Sequence, residues 1–217
     1  MNTDKARFNM IEQQIRPWQV SDAQILNLMA TTPREMFVPE PYRALAFADM
    51  SIPLGHHQSM YAPREEARML QAVYLSKQDE VLEIGTGSGF TAALMASIAK
   101  SVKSIDCYGE FIERAEQRLG KLGLANVVLA EEQAEQNWSP QDDFDVIVCT
   151  PGINFKPLKL LDSLRPNGRL FCIHGIQSNQ YAYLYKKDAQ NDIHMERLFE
   201  LSTPLLSTEH ELQLFEF

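Results

Sequence analysis

From Glu80 onward, short apolar runs alternate with longer stretches in which apolar residues recur every three or four positions. Val81-Leu82-Glu83-Ile84, Val102–Cys107, Asn126–Leu129, Phe144–Cys149 and Arg169–Ile173 predict strands. Thr91–Ala99, and a segment carrying Phe111, Ile112, Ala115, Leu119 and Leu122, predict the helices between them. Such alternation implies a mainly parallel sheet covered on both faces. The tail from Tyr181 holds no long helical pattern; Met195–Leu201 and Glu211–Phe217 read as strands that finish the sheet antiparallel. The expectation is an α/β, doubly wound, mainly parallel seven-stranded sheet.

Upstream the pattern is helical and then irregular. Ser21-Asp22-Ala23-Gln24 has capping-box spacing ahead of Ile25, Leu28 and Met29, and Pro33 ends that helix. Phe37–Tyr61, with Pro39, Pro41, Pro53 and Gly55, predicts loops with one or two short strands. Pro63 suits the first turn of a helix on which Ala67, Leu70, Val73 and Tyr74 share a face. The polar break Lys77–Glu80 divides an N-terminal part, 1–79, from the sheet, 80–217, within one expected domain.

Composition narrows the function classes. The 217 residues are 45% apolar and 23% charged, the balance of a soluble chain that can bury a core. Lys and Arg number 20 against 29 Asp and Glu, a net charge of −9. That excess argues against nucleic acid or an anionic membrane as partner, since both need clustered cations. Cys107, Cys149 and Cys172 sit in apolar runs as an odd, sparse set, which reads as free thiols in a reducing cytoplasm. No run reaches the ~18 apolar residues of a membrane helix, and the start is too polar for a signal peptide.

The most informative chemistry is Val81-Leu82-Glu83-Ile84-Gly85-Thr86-Gly87-Ser88-Gly89-Phe90, a strand running into glycines and then a helix. Backbone there can approach a ligand closely. A dinucleotide fingerprint needs glycine at 90, where Phe90 stands, and no Gly-Lys-Ser/Thr follows for a phosphate loop. Asp106 ends the next strand and can accept both hydroxyls of a ribose. A nucleoside without phosphates, such as S-adenosylmethionine, therefore fits better than NAD or ATP. His56 and His57 read as loop hydrogen-bonders, and Cys172 with His174 lacks the companions of a zinc site, so no metal is expected. Glu131, Glu132 and Glu135 read as a solvated acidic stretch.

These residues resemble motif I of class I S-adenosylmethionine-dependent methyltransferases, in the version of the protein-L-isoaspartate O-methyltransferase family. The resemblance extends to Pro33–Pro39 (PREMFVP), to Ile52–Pro63 (IPLGHHQSMYAP), to Ala67-Arg68-Met69, to Phe144–Thr150, to Asn167–Leu170 and to Pro204-Leu205. It implies a Rossmann-like methyltransferase sheet, an N-terminal helical extension with the active-site loop, and S-adenosyl-L-methionine leaving as S-adenosyl-L-homocysteine. It also implies methyl transfer to the free carboxylate of L-isoaspartyl residues in damaged proteins, by a cytoplasmic enzyme for which a monomer is favoured. Carried over by position, the cofactor residues are Glu83, Gly85, Thr86, Gly87, Ser88, Gly89, Asp106, Cys107, Gln133, Ala134 and Thr150, and the substrate-side residues are Ser59 and Tyr61.

Four departures accompany the resemblance. The family's loop serine aligns with Tyr61, its neighbouring threonine with Ser59, its second loop glycine with His57, and its Gly-Asp-Gly with Glu132-Gln133-Ala134. Glutamine still accepts from an adenine amino group. Tyr61 leaves two alternatives, a same-fold methyltransferase with another acceptor and a non-catalytic cofactor-binding protein; an oxidoreductase is disfavoured by Phe90.

Overall fold

The computed structural model describes residues 3–176 and 179–206. Seven strands among these residues form one sheet: β3 (Glu80–Ile84), β4 (Ser101–Asp106), β5 (Val127–Glu131), β6 (Phe144–Ile153), β7 (Leu164–Ile176), β8 (Asn179–Lys187) and β9 (Ile193–Glu200). Their spatial order is β5-β4-β3-β6-β7-β8-β9. Every pair from β5 to β7 is parallel, and β7-β8-β9 is antiparallel. Val146 and Val148 of β6 join one apolar cluster while Ile147 and Cys149 join the other. That period of two is what a sheet buried on both faces requires.

The larger cluster is covered by α2 (Ala23–Thr31), α3 (Pro63–Val73), α4 (Phe90–Ala96) and α5 (Gly109–Lys121). Short α6 (Leu158–Asp162) contributes Leu160 and Leu161 to the opposite face. The N-terminal α1 (Thr3–Met10) continues as a π-helical turn over Ile11–Ile15 that buries Ile11 and Ile15. A small antiparallel hairpin, β1 (Ile52–Gly55) and β2 (Gln58–Met60), precedes α3. No described helix is long and apolar enough to cross a membrane.

The expected α/β architecture is present, with different details. The seventh strand is β8, absent from the sequence reading, whereas Glu211–Phe217 lies outside the described residues. β7 begins at Leu164, before the Pro166-Asn167-Gly168 turn, because Asn167 takes a left-handed φ of 63° and the register shifts there without breaking the pairing. The α2 cap is Asp22, not Ser21: its carboxylate accepts from the amides of Gln24 (2.8 Å) and Ile25 (3.2 Å). Tyr74 leaves the buried face of α3 because it is the left-handed residue that stops the helix, and it is 78% exposed.

Strands β3, β4 and β5 run outward in one direction, and β6 returns to the other side of β3. The strand order therefore reverses between β3 and β6, and ligands of open α/β sheets bind beyond the carboxyl ends of the strands at such a point.

Candidate active site

Gly85, Gly87 and Gly89 carry the β3–α4 loop through φ values of 93°, 51° and 81°. The Gly85 amide donates to the Ile105 carbonyl (2.8 Å), tying the loop to β4. A Cβ on Gly85 would collide with Thr150 and Pro151 at the end of β6. Thr150 Oγ1 donates to the Ile84 and Gly85 carbonyls at 3.1 and 2.9 Å. The glycine thus lets the two strands flanking the switch point converge. Asp106, at the end of β4, accepts from the Gly87 amide (2.9 Å) and the Tyr108 amide (3.1 Å), which aims its carboxylate across the loop. Burial raises its pKa, and these backbone bonds oppose the rise.

The cleft over this loop encloses roughly 770 Å³, its open mouth included. Ser59, Tyr61, Gly85, Thr86, Gly87, Ser88, Asp106, Cys107, Gln133, Ala134 and Thr150 all line it. Two expected cofactor residues do not. Gly89 packs against Ala115 of α5, so it serves helix packing. Glu83 is fully buried behind the loop, where Ser104 Oγ donates to Oε2 (2.5 Å) and Oε1 has no partner. Burial pushes its carboxyl well above the usual range. Gln133 donates to Glu135 (3.0 Å), leaving its carbonyl oxygen as an acceptor. Glu132 also lines the cleft and accepts from Trp138 Nε1 (2.9 Å).

The hairpin forms the opposite wall. Its tip, His56 at φ 49°, stacks on Tyr108 with ring centroids 4.2 Å apart and contacts Glu110 at 3.1 Å. Ser59, half-buried on β2, lines the cleft. Tyr61 is 7% exposed, and its hydroxyl donates to the Thr150 carbonyl. Burial, with Glu66 beside it, holds the phenol well above its usual pKa. Fully buried Arg34 fixes the loop from behind by donating to the carbonyls of Tyr61 (2.5 Å) and Ala46 (2.9 Å).

Sequence reasoning missed Glu66 of α3. It is 1% exposed, lines the cleft, and accepts from Thr91 Oγ1 at 2.6 Å through Oε1. The signal was available, because Glu66, Leu70 and Val73 stand at i, i+4 and i+7 on the apolar helix face, where a carboxyl is out of place. Burial raises its pKa to about 7, against the lowering influence of Arg34 and Thr91. A carboxyl raised on folding costs stability that appears as pH climbs from its ordinary value through the folded one. Glu66→Gln is therefore expected to raise the melting temperature of the ligand-free protein at pH 8 and leave it nearly unchanged at pH 5. Thermal denaturation at the two pH values checks this, and an equal shift at both would contradict it.

Among the described residues no Lys or Arg lines the cleft, so no side-chain cation faces a diphosphate there. No described group of three or more His, Cys, Asp or Glu is placed to hold a metal. An acid at the end of β4, a glutamine with a free carbonyl oxygen and a glycine loop in one cleft suit an adenosyl ligand without phosphates.

Comparison with known proteins agrees. A curated Gloeobacter violaceus protein-L-isoaspartate O-methyltransferase is 38% identical over 78% of this chain and 82% of its own. A Rhodopseudomonas palustris protein-L-isoaspartate O-methyltransferase 1 is 35% identical over 94% of this chain and 84% of its own. In fold, the chain matches a Plasmodium falciparum protein assigned as a protein-L-isoaspartate O-methyltransferase and crystallised with S-adenosyl-L-homocysteine. The TM-score is 0.78 at 19% identity, covering 95% of this chain and 99% of that one. A sequence model of the protein-L-isoaspartate(D-aspartate) O-methyltransferase family matches residues 5–208, and the chain belongs to that family.

Proposed function

We propose that this protein is an S-adenosylmethionine-dependent O-methyltransferase that methylates the free carboxylate of L-isoaspartyl residues in damaged proteins. One observation carries the reading. The hairpin that presents Ser59 forms one wall of the cleft whose floor is the glycine loop and Asp106, so acceptor and adenosyl sides share a single space.

The bound cofactor supplies an electrophilic methyl group. The chain supplies placement. Asp106 accepts ribose hydroxyls, Gln133 accepts from the adenine amino group, and Gly85 and Gly87 let backbone approach the ligand. An acceptor carboxylate with a reference pKa of ~3.9 is already ionised at neutral pH and needs no base. Ser59 donates to one of its oxygens and leaves the other free to attack. The hairpin, clasped to α5 through His56 and Tyr108, keeps water from the reacting atoms.

A second reading is favoured by Tyr61. Its ring stands where the family carries a serine, and its proton is committed to Thr150, which narrows the acceptor side and suits a different nucleophile. Radiolabelled S-adenosylmethionine with matched isoaspartyl and aspartyl peptides separates the two. Label in the isoaspartyl peptide alone is expected. Absence of label, with restoration by Tyr61→Ser, would assign the chain to the second reading.

A further inference from the structure

Among the described residues that line the cleft, Glu66 is a buried acid not yet given a role. Glu66 accepts from Thr91 Oγ1 through one oxygen, no hydrogen bond from a described residue reaches the other, and Arg34 acts on it through its charge, although the side chain is almost fully buried. Gln133 and Asp106 line the cleft, and the cofactor reading above gives them the adenine and the ribose. Glu66 and Thr91 line the cleft with Ser59 and Tyr61, away from those residues in the chain's topology, on α3 and α4. With the nucleoside seated at the Gln133 and Asp106 end, the amino-acid portion of an adenosyl cofactor extends towards this wall, bringing a primary ammonium and a carboxylate. A lone acid fits the ammonium and repels the carboxylate.

We infer that Glu66 is the counter-ion of the cofactor's ammonium group and positions the amino-acid end of the ligand. This rests on the cofactor reading above. The groups facing Glu66 support it from each side. Arg34, in the turn Arg34–Met36, contributes a positive charge from a distance, with Nε and Nη2 donating to the Ala46 and Tyr61 carbonyls and Nη1 without a partner. Glu65 of α3 adds negative charge, while Glu83 of β3, its carboxyl held well above the usual range by burial, and Thr91 of α4 and Tyr61 are neutral. Asp106 lies across the glycine loop and adds to the field at Glu83. Arg34 acts on Glu66 through its charge alone and Arg64 stands beside Glu65, so the ligand ammonium is the cation that would reach the Glu66 carboxylate directly. Because Glu66 in the ligand-free protein titrates at about 7, binding of an ammonium-bearing ligand tightens as pH rises through that value and draws the proton off.

The test is calorimetric binding of S-adenosyl-L-homocysteine, and of its analogue lacking the amino group, between pH 5.5 and pH 8. For the unmodified protein, homocysteine-ligand affinity is expected to rise about tenfold across the range while that of the desamino analogue, which keeps only the carboxylate, does not rise. Glu66→Gln, which keeps the Thr91 contact, is expected to bind S-adenosyl-L-homocysteine about tenfold more weakly at pH 8, without pH dependence, and to bind the analogue as the parent does. Equal pH profiles for the two ligands in the parent protein overturn the inference without any variant. So does a Glu66→Gln protein that loses both ligands equally. Failure of the parent to bind S-adenosyl-L-homocysteine at any pH overturns the cofactor reading, and the inference with it.

Discussion

Gly85→Ala is expected to weaken S-adenosyl-L-homocysteine binding on the order of a hundredfold, and to lower stability by about 1–3 kcal/mol. Two independent costs combine at this position. The backbone holds φ at 93°, which alanine adopts only under strain, and the added methyl meets Thr150 and Pro151. Relieving the contact would move the end of β6 away from β3 and pull Thr150 off the Ile84 and Gly85 carbonyls. Gly120→Ala is the contrasting control. That residue lies in α5 with nothing within 4 Å of its missing Cβ, so the change is expected to be neutral or stabilising by up to ~1 kcal/mol. Isothermal titration and denaturation on the pair measure both effects; tight binding by Gly85→Ala would show that the strands need not converge.

Arg34→Ala is expected to cost about 3–5 kcal/mol, a fall of roughly 6–20 °C in melting temperature for a chain of this size. The guanidinium is fully buried, spans the Tyr61 and Ala46 carbonyls, and lies 4.9 Å from the Phe90 ring centroid. Its removal strands both carbonyls, opens a cavity and takes away the positive charge that lowers the pKa of Glu66. Lysine is a poor substitute, because one ammonium on a flexible stem does not reproduce a planar fork reaching two carbonyls. Arg34→Lys is accordingly expected to fall most of the way to the alanine variant, and parallel thermal melts decide it.

The parts of the site legible in the sequence are those built from contiguous residues. The loop from Gly85 to Gly89 and the acid ending the following strand are local patterns, and alternating strands and helices bring their carboxyl ends to one edge. Asp106 could therefore be placed from its position alone, while Thr150 and the Gln133-Ala134 pair were placed by the family resemblance; all four line the cleft. What was not legible depends on distant partners. Whether Tyr61 packs or projects is decided by Arg34 and Thr150, at separations of 27 and 89 residues. Glu83 has the sequence context of a ligand contact, yet Ser104 claims it behind the loop. Strand β8 was obscured because its tyrosines, Tyr181, Tyr183 and Tyr185, alternate with Ala182 and Leu184, so both faces look partly apolar. Gln71 Oε1 accepts from the amides of both Ser21 and Asp22, and it is the Asp22 carboxylate that accepts from the Gln24 and Ile25 amides and caps the helix.

The absence of lysine and arginine from the described cleft lining has a kinetic consequence. Glu66 and Asp106 face the space and Glu83 stands behind it, so an empty cleft offers an incoming carboxylate no attraction. The sulfonium of the methyl donor is the positive charge that makes the cleft hospitable to an anion, and transfer of the methyl group abolishes it. Donor is therefore expected to enter before the peptide, and the methylated peptide, its own charge gone, to leave before the spent thioether. Turnover on this chain would be ordered by electrostatics, with each departure prepared by the loss of a charge pair.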